Sequence, residues 1–154
     1  MISEPGIYIG IGMILSLFLT ETLGVTAGGI IVPGYIAMNL ESPSRLIITF
    51  AISLITFLII KLLSQFIMVY GKRRLVLALL IGFLLGYLSR SEFIFLSGLE
   101  KGEFIVIGNI IPGLIANWMD RQGAIRTIST VLITAGITKL AIMVLSMMQI
   151  IFID

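Results

Sequence analysis

Charged residues cut the chain into uncharged runs, and the runs predict its elements. Pro5 to Thr20 carries no charge, nor does Thr22 to Leu40. Leu46 to Gly71 is interrupted only by Lys61, and Leu75 to Ser89 is clean. Phe104 to Met119 is clean again, and Thr127 to Ile153 is interrupted only by Lys139. A helix needs about 20 apolar residues to cross the hydrocarbon of a bilayer, with about 17 as a working minimum. The two interrupted runs are therefore comfortable spans. The first and fourth are short unless their polar flanks snorkel. The second and fifth are borderline, and each is centred on a Pro-Gly pair, Pro33-Gly34 and Pro112-Gly113. Proline removes a backbone donor and clashes with the preceding turn, so both segments should break or kink. They are expected either to span with a kink or to enter the membrane and return. The pattern predicts an all-α, polytopic membrane protein with residues 1–154 forming one integral membrane domain. The chain begins Met-Ile-Ser-Glu without a basic stretch, so the first run reads as a permanent anchor and not as a cleavable leader.

Composition sharpens this picture. Hydrophobic residues make up 58% of the chain and charged residues 12%, about half the charge of an ordinary soluble domain. Mean hydropathy is +1.18. A soluble enzyme and a disordered tail are both excluded. There is no cysteine and no histidine, which removes disulfides, Cys/His zinc sites, thiolate nucleophiles and histidine-based triads. No phosphate-cradling G-x-x-x-x-G-K-[ST] motif occurs. The acids are scattered without metal-ligand spacing, so no metal site is expected. A net charge of +2 gives no reason to expect nucleic acid as a partner. The expectation is a non-catalytic subunit with no cofactor of its own.

Two stretches resemble each other. Ile31-Val32-Pro33-Gly34-Tyr35-Ile36-Ala37 matches Ile110-Ile111-Pro112-Gly113-Leu114-Ile115-Ala116, and Glu41 aligns with Asp120. Each stretch precedes a long run with one internal lysine. The chain thus reads as two repeats, about 5–70 and 75–153, each made of a helix, a Pro-Gly-broken helix and a long helix. Paired Pro/Gly-interrupted segments at corresponding places point to a transporter-like architecture. If both broken elements cross, the halves are inverted, and an outside amino terminus leaves Lys72, Arg73, Arg74, Arg121 and Arg126 facing the cytoplasm. The positive-inside rule favours these six crossings over the re-entrant alternative.

Small and polar residues mark the packing faces. Gly12, Ser16 and Thr20 share a face, and Gly82 with Gly86 forms a GxxxG whose expected use is packing within the chain, with homo-oligomerisation as the alternative. Thr49, Ser53 and Thr56 lead toward Ser64, and Thr127, Thr130, Thr134 and Thr138 form a second hydroxyl stripe; both should face away from lipid. Lys139 lies near the middle of its run, where an ammonium costs about 2.5–3.5 kcal/mol on insertion scales. It must pair, lose its proton or line a wet cavity. Lys61 is less extreme. Glu21 is the acidic partner to expect for such a lysine.

Thr20-Glu21, Gly24, Gly28-Gly29 and Val32-Pro33-Gly34-Tyr35 together resemble the signature of the poly-γ-glutamate synthase membrane subunit, the PgsC/CapC capsule biosynthesis family. Tyr70-Gly71-Lys72-Arg73-Arg74 resembles that family's Tyr-Gly-basic-basic junction. Pro112-Gly113-Leu114-Ile115-Ala116-Asn117 with Arg121-Gln122-Gly123 resembles its second Pro-Gly block. Thr22 and Lys72 depart from the pattern, which has a basic residue and an arginine there. The resemblance implies a multi-pass subunit of the bacterial inner membrane, beside a ligase that uses ATP and Mg to join glutamate through amide bonds. A further anchored, outward-facing subunit is implied as a partner. The chain would couple synthesis of the anionic polymer to its export. The candidates to line the polymer's path are Glu21, Pro33, Gly34, Tyr35, Lys61, Pro112, Gly113, Asn117 and Lys139. The candidates to dock partners are Lys72, Arg73, Arg74 and Arg121. An independent transporter of small solutes or ions is the alternative, and a purely structural anchor for the ligase a third reading.

Overall fold

The computed structural model describes residues 5–66, 71–97 and 107–153, which form helices and short connections. Six helices follow in order: α1 (Pro5–Leu23), α2 (Val32–Met38), α3 (Pro43–Phe66), α4 (Lys72–Ser97), α5 (Ile111–Gln122) and α6 (Ala124–Ile153). Three of these, α1, α3 and α6, are long and apolar enough to cross a membrane. Helix α4 has 26 residues but opens on Lys72, Arg73 and Arg74.

The Pro-Gly elements are neither kinked spans nor symmetrical hairpins. Each is a short helix that begins at the Pro-Gly pair, seven residues in α2 and twelve in α5. At 1.5 Å per residue these are about 10 and 18 Å long, well under a bilayer's thickness. Proline stands in the first turn, where its missing N–H would have lacked a partner anyway. The pair therefore starts a helix instead of bending one. Residues 24–31 ahead of α2 are not helical, and left-handed φ angles at Gly24 (62°) and Gly28 (69°) turn the chain there.

Contacts order the helix ends. Thr26, just past α1, bonds to Gln122 at the end of α5. Arg74, in the first turn of α4, pairs with Asp120 near the same end of α5. These groups gather at one end of the bundle. At the other end the Ile107 N–H donates to Thr49 Oγ1, in the second turn of α3, at 3.0 Å. The stretch 24–38 thus runs the length of the bundle, non-helical first and helical second, and 107–122 returns in the opposite direction.

The two halves interlock. Helix α2 packs on α1 of its own half and on α6 of the other, while α5 packs on α4 and on α3. The core lies where these elements meet: Val32, Ile36, Ile115, Met119 and Val131 are buried together. The hydroxyl stripes turn inward, with Thr49, Ser53, Thr56, Thr127, Thr134 and Thr138 at 0% exposure. Each donates to the carbonyl four residues back, so a hydroxyl can be buried without a partner on another helix. Ser64 departs from the expected stripe and is exposed.

Candidate functional site: two broken helices and their ion pairs

Both broken helices start inside the protein because glycine lets them. A Cβ on Gly12 of α1 would fall 2.6 Å from Gly34 N and 2.7 Å from Gly34 Cα. A Cβ on Gly82 of α4 would fall at the same 2.6 and 2.7 Å from the N and Cα of Gly113. Two helix backbones therefore touch at each crossing, which requires glycine on both sides. Gly82 of the GxxxG is used within the chain, and Gly12 is its counterpart in the first half. Pro33, Gly34, Pro112 and Gly113 are all buried, and Tyr35 is half-buried.

Asn117 lies one turn after Gly113, and it is 4% exposed. Its Oδ1 accepts no hydrogen bond among the described residues, and neither does Ser16 Oγ on α1 have a partner. A buried amide oxygen left unpaired costs about 1–3 kcal/mol, and Asn117 Oδ1 is such an unmet acceptor among the described residues.

The charged candidates separate into distinct environments. Lys139 Nζ lies 2.9 Å from Glu41 Oε1. The partner is Glu41 and not Glu21, which is exposed near the end of α1. Glu21 sits at the Thr26–Gln122 end of the bundle, whereas Lys139 reaches the opposite end, where the chain leaves α2. Lys61 is exposed, with its ammonium 5.8 Å from the centre of the Phe57 ring. Of the basic junction, Lys72 and Arg73 are exposed, but Arg74 is turned inward onto Asp120. Arg121 is exposed and stacks on Trp118 at 5.3 Å. Tyr70 of the junction lies outside the described residues.

Two clasps were not read from the sequence. Gln122 Nε2 donates to Thr26 O at 2.6 Å and to Thr127 Oγ1 at 3.1 Å, and its Oε1 accepts from Thr26 N at 3.2 Å. Thr49 holds the segment ahead of α5 at the other end. The acids Glu41 and Asp120 carried a usable signal, since each follows the proline of its Pro-Gly pair by eight residues.

The family of the chain follows from residues 11–128, which match the model described as "Capsule biosynthesis CapC". The chain belongs to this family. The match spans both broken helices, both glycine crossings and the Arg74–Asp120 pair, and it includes Glu41 but stops short of Lys139. This CapC-family chain is 36% identical over 132 residues to the PGA biosynthesis protein CapC of Bacillus subtilis (strain 168), covering 83% of this chain and 86% of that one. It is 37% identical over 137 residues to the capsule biosynthesis protein CapC of Bacillus anthracis, covering 88% and 91%. No solved structure matches.

Proposed function

We propose that this CapC-family chain is a membrane subunit of a poly-γ-glutamate synthase, coupling polymer formation by an ATP-dependent amide ligase to passage across the bacterial inner membrane. The observation that carries the reading is likeness over most of the chain to proteins named for capsule and PGA biosynthesis. The ligase partner would use ATP and Mg; this chain would contribute the membrane part, with a further anchored subunit outside.

The geometry supports a path for an anion. Poly-γ-glutamate carries about one carboxylate per residue, and a carboxylate inside a low-dielectric slab needs partners. Half-helices that begin within the bundle offer backbone N–H groups and the positive end of a dipole. In this reading the end holding Lys72, Arg73, Arg74, Arg121 and Arg126 faces the cytoplasm, as the positive-inside rule requires. The bundle then crosses six times with inverted halves. Lys72, Arg73 and Arg121, exposed at that end, are available to dock the ligase, and Lys61 and Lys139 supply cations along the route.

Deletion of the chain tests this. Loss of polymer both inside and outside the cell is the expected outcome. Intracellular polymer formed at the normal level would overturn the synthase reading in favour of an independent transporter, which the broken crossings would equally suit. Lys61→Met and Lys139→Met variants that assemble but export less support the path. Variants that assemble and export normally remove these lysines from it.

A further inference from the structure

The two halves treat the same acid and the same lysine differently. Lys61 and Lys139 each follow a buried threonine, Thr49 and Thr127, by twelve residues, and Glu41 and Asp120 each follow their proline by eight. Their surroundings correspond as well. Helix α6 packs along α2, and α3 along α5. Ala37 and Ala116, each four residues before its acid, are both buried. Ile60, the neighbour of Lys61, packs in one cluster with Ala116. In one half the lysine is captured by the acid, as Lys139 is by Glu41. In the other it is not: Asp120 is held by Arg74, while Lys61 has no acidic partner among the described residues and lies over Phe57.

Arg74 explains the difference. It stands eight residues before Gly82, the glycine of the second crossing. The residue eight before Gly12 in the sequence is an acid, Glu4, where the second half has an arginine. Asp120 therefore has two cations to choose between. It lies one turn beyond Ala116 on the same face of α5, and Lys61 is the residue next to Ala116's contact, Ile60. Lys139 spans the corresponding interval to reach Glu41.

We propose that Asp120 exchanges between Arg74 and Lys61, and that the Lys139–Glu41 pair displays the arrangement reached after the exchange. The carboxylate of Asp120 keeps a cation in both states, so it is never left uncompensated. The end of α5 is tied to α4 in the first state and to α3 in the second. Arg74, released, joins Lys72 and Arg73 at the basic end. The element is bistable and sits where the broken helix leaves the bundle.

The absence of native cysteine makes introduced thiol pairs unambiguous. In membranes, Lys61→Cys with Asp120→Cys should be linked by a short bis-thiosulfonate, at a rate approaching that of Glu41→Cys with Lys139→Cys. Lys61→Cys with Glu41→Cys, toward opposite ends, sets the background. Thermal unfolding in detergent supplies the second readout, with Asp120 intact throughout. Lys61→Met should lower the melting temperature little in the native chain and much more in the Arg74→Gln background, because Lys61 then replaces Arg74 as the cation on Asp120. Linking at background level, an equal cost of Lys61→Met in both settings, or failure of Arg74→Gln to accumulate while Lys61 is intact would each overturn the exchange. None of these readouts depends on polymer, so their failure leaves the synthase reading standing.

Discussion

Replacing Gly113 with alanine tests the backbone contact on which the second broken helix rests. The new Cβ would lie 2.5 Å from Ala78 O, 2.7 Å from Leu79 Cα and 3.0 Å from Ala78 C. All three atoms belong to the backbone of α4, which cannot rotate aside as a side chain would. Restoring contacts of 3.4 Å requires α4 and α5 to separate by about 0.7–0.9 Å. A gap of that size forfeits a quarter to a half of each dispersion contact around it. Overpacking typically costs about 1–3 kcal/mol, and an immovable neighbour places Gly113→Ala at the upper end. For a chain of this length about 3 kcal/mol corresponds to a melting temperature roughly 6–12 °C lower. Thermal unfolding of the purified protein in mild detergent, followed by size exclusion, measures it. Gly82→Ala should behave alike, and the double variant should cost less than the sum, since both open the same crossing. Gly136→Ala is the control, because nothing lies within 4 Å of its Cβ position. If Gly113→Ala melts with that control, the contact does not hold the half-helix and the argument fails.

Three other expectations rest on single interactions. Thr49→Val keeps the shape but strands the buried Ile107 N–H, at a cost of about 1–3 kcal/mol in unfolding, whereas Thr49→Ser should restore most of it. Gln122→Leu removes three hydrogen bonds around Thr26 and Thr127; amide exchange at Thr26 should accelerate, and unchanged protection would show that the clasp is dispensable. Glu41→Gln leaves Lys139 without its carboxylate, and Lys139→Met leaves Glu41 exposed but harmless. The first should therefore destabilise more than the second, with the double variant recovering toward Lys139→Met, and additive costs would contradict the pairing.

The long helices were legible because a run of apolar residues with one lysine has few other ways to fold. Thr49 and Thr127 were legible as inward-facing because their spacing repeats with the helix. The form of the Pro-Gly elements was not. Proline marks the first turn of a helix as readily as its break, and only the neighbouring backbone of Gly12 or Gly82 decides between them. The wrong acid for Lys139 has a similar cause. Glu21 interrupts the uncharged runs of the first half and so suggested itself, but α1 carries it to the opposite end of the bundle from the one Lys139 reaches. Gln122 was legible only as part of the Arg121-Gln122-Gly123 resemblance and not as a clasp, because a glutamine's role depends on what the fold brings within hydrogen-bonding distance of it.

The exchange of partners between halves has a consequence for how the protein is made. During synthesis α1, α2 and α3 emerge before α5 and α6 exist. Helix α2 then lacks the helix that covers its second side, and the threonine face of α3 has nothing to pack against. The first half must wait at the insertion machinery, its broken helix half-sheltered, until α6, which ends at Ile153, has been translated. Biogenesis is thus the stage at which this chain is most exposed to quality-control proteases. Two separately expressed halves should rescue each other when made together and vanish when made alone.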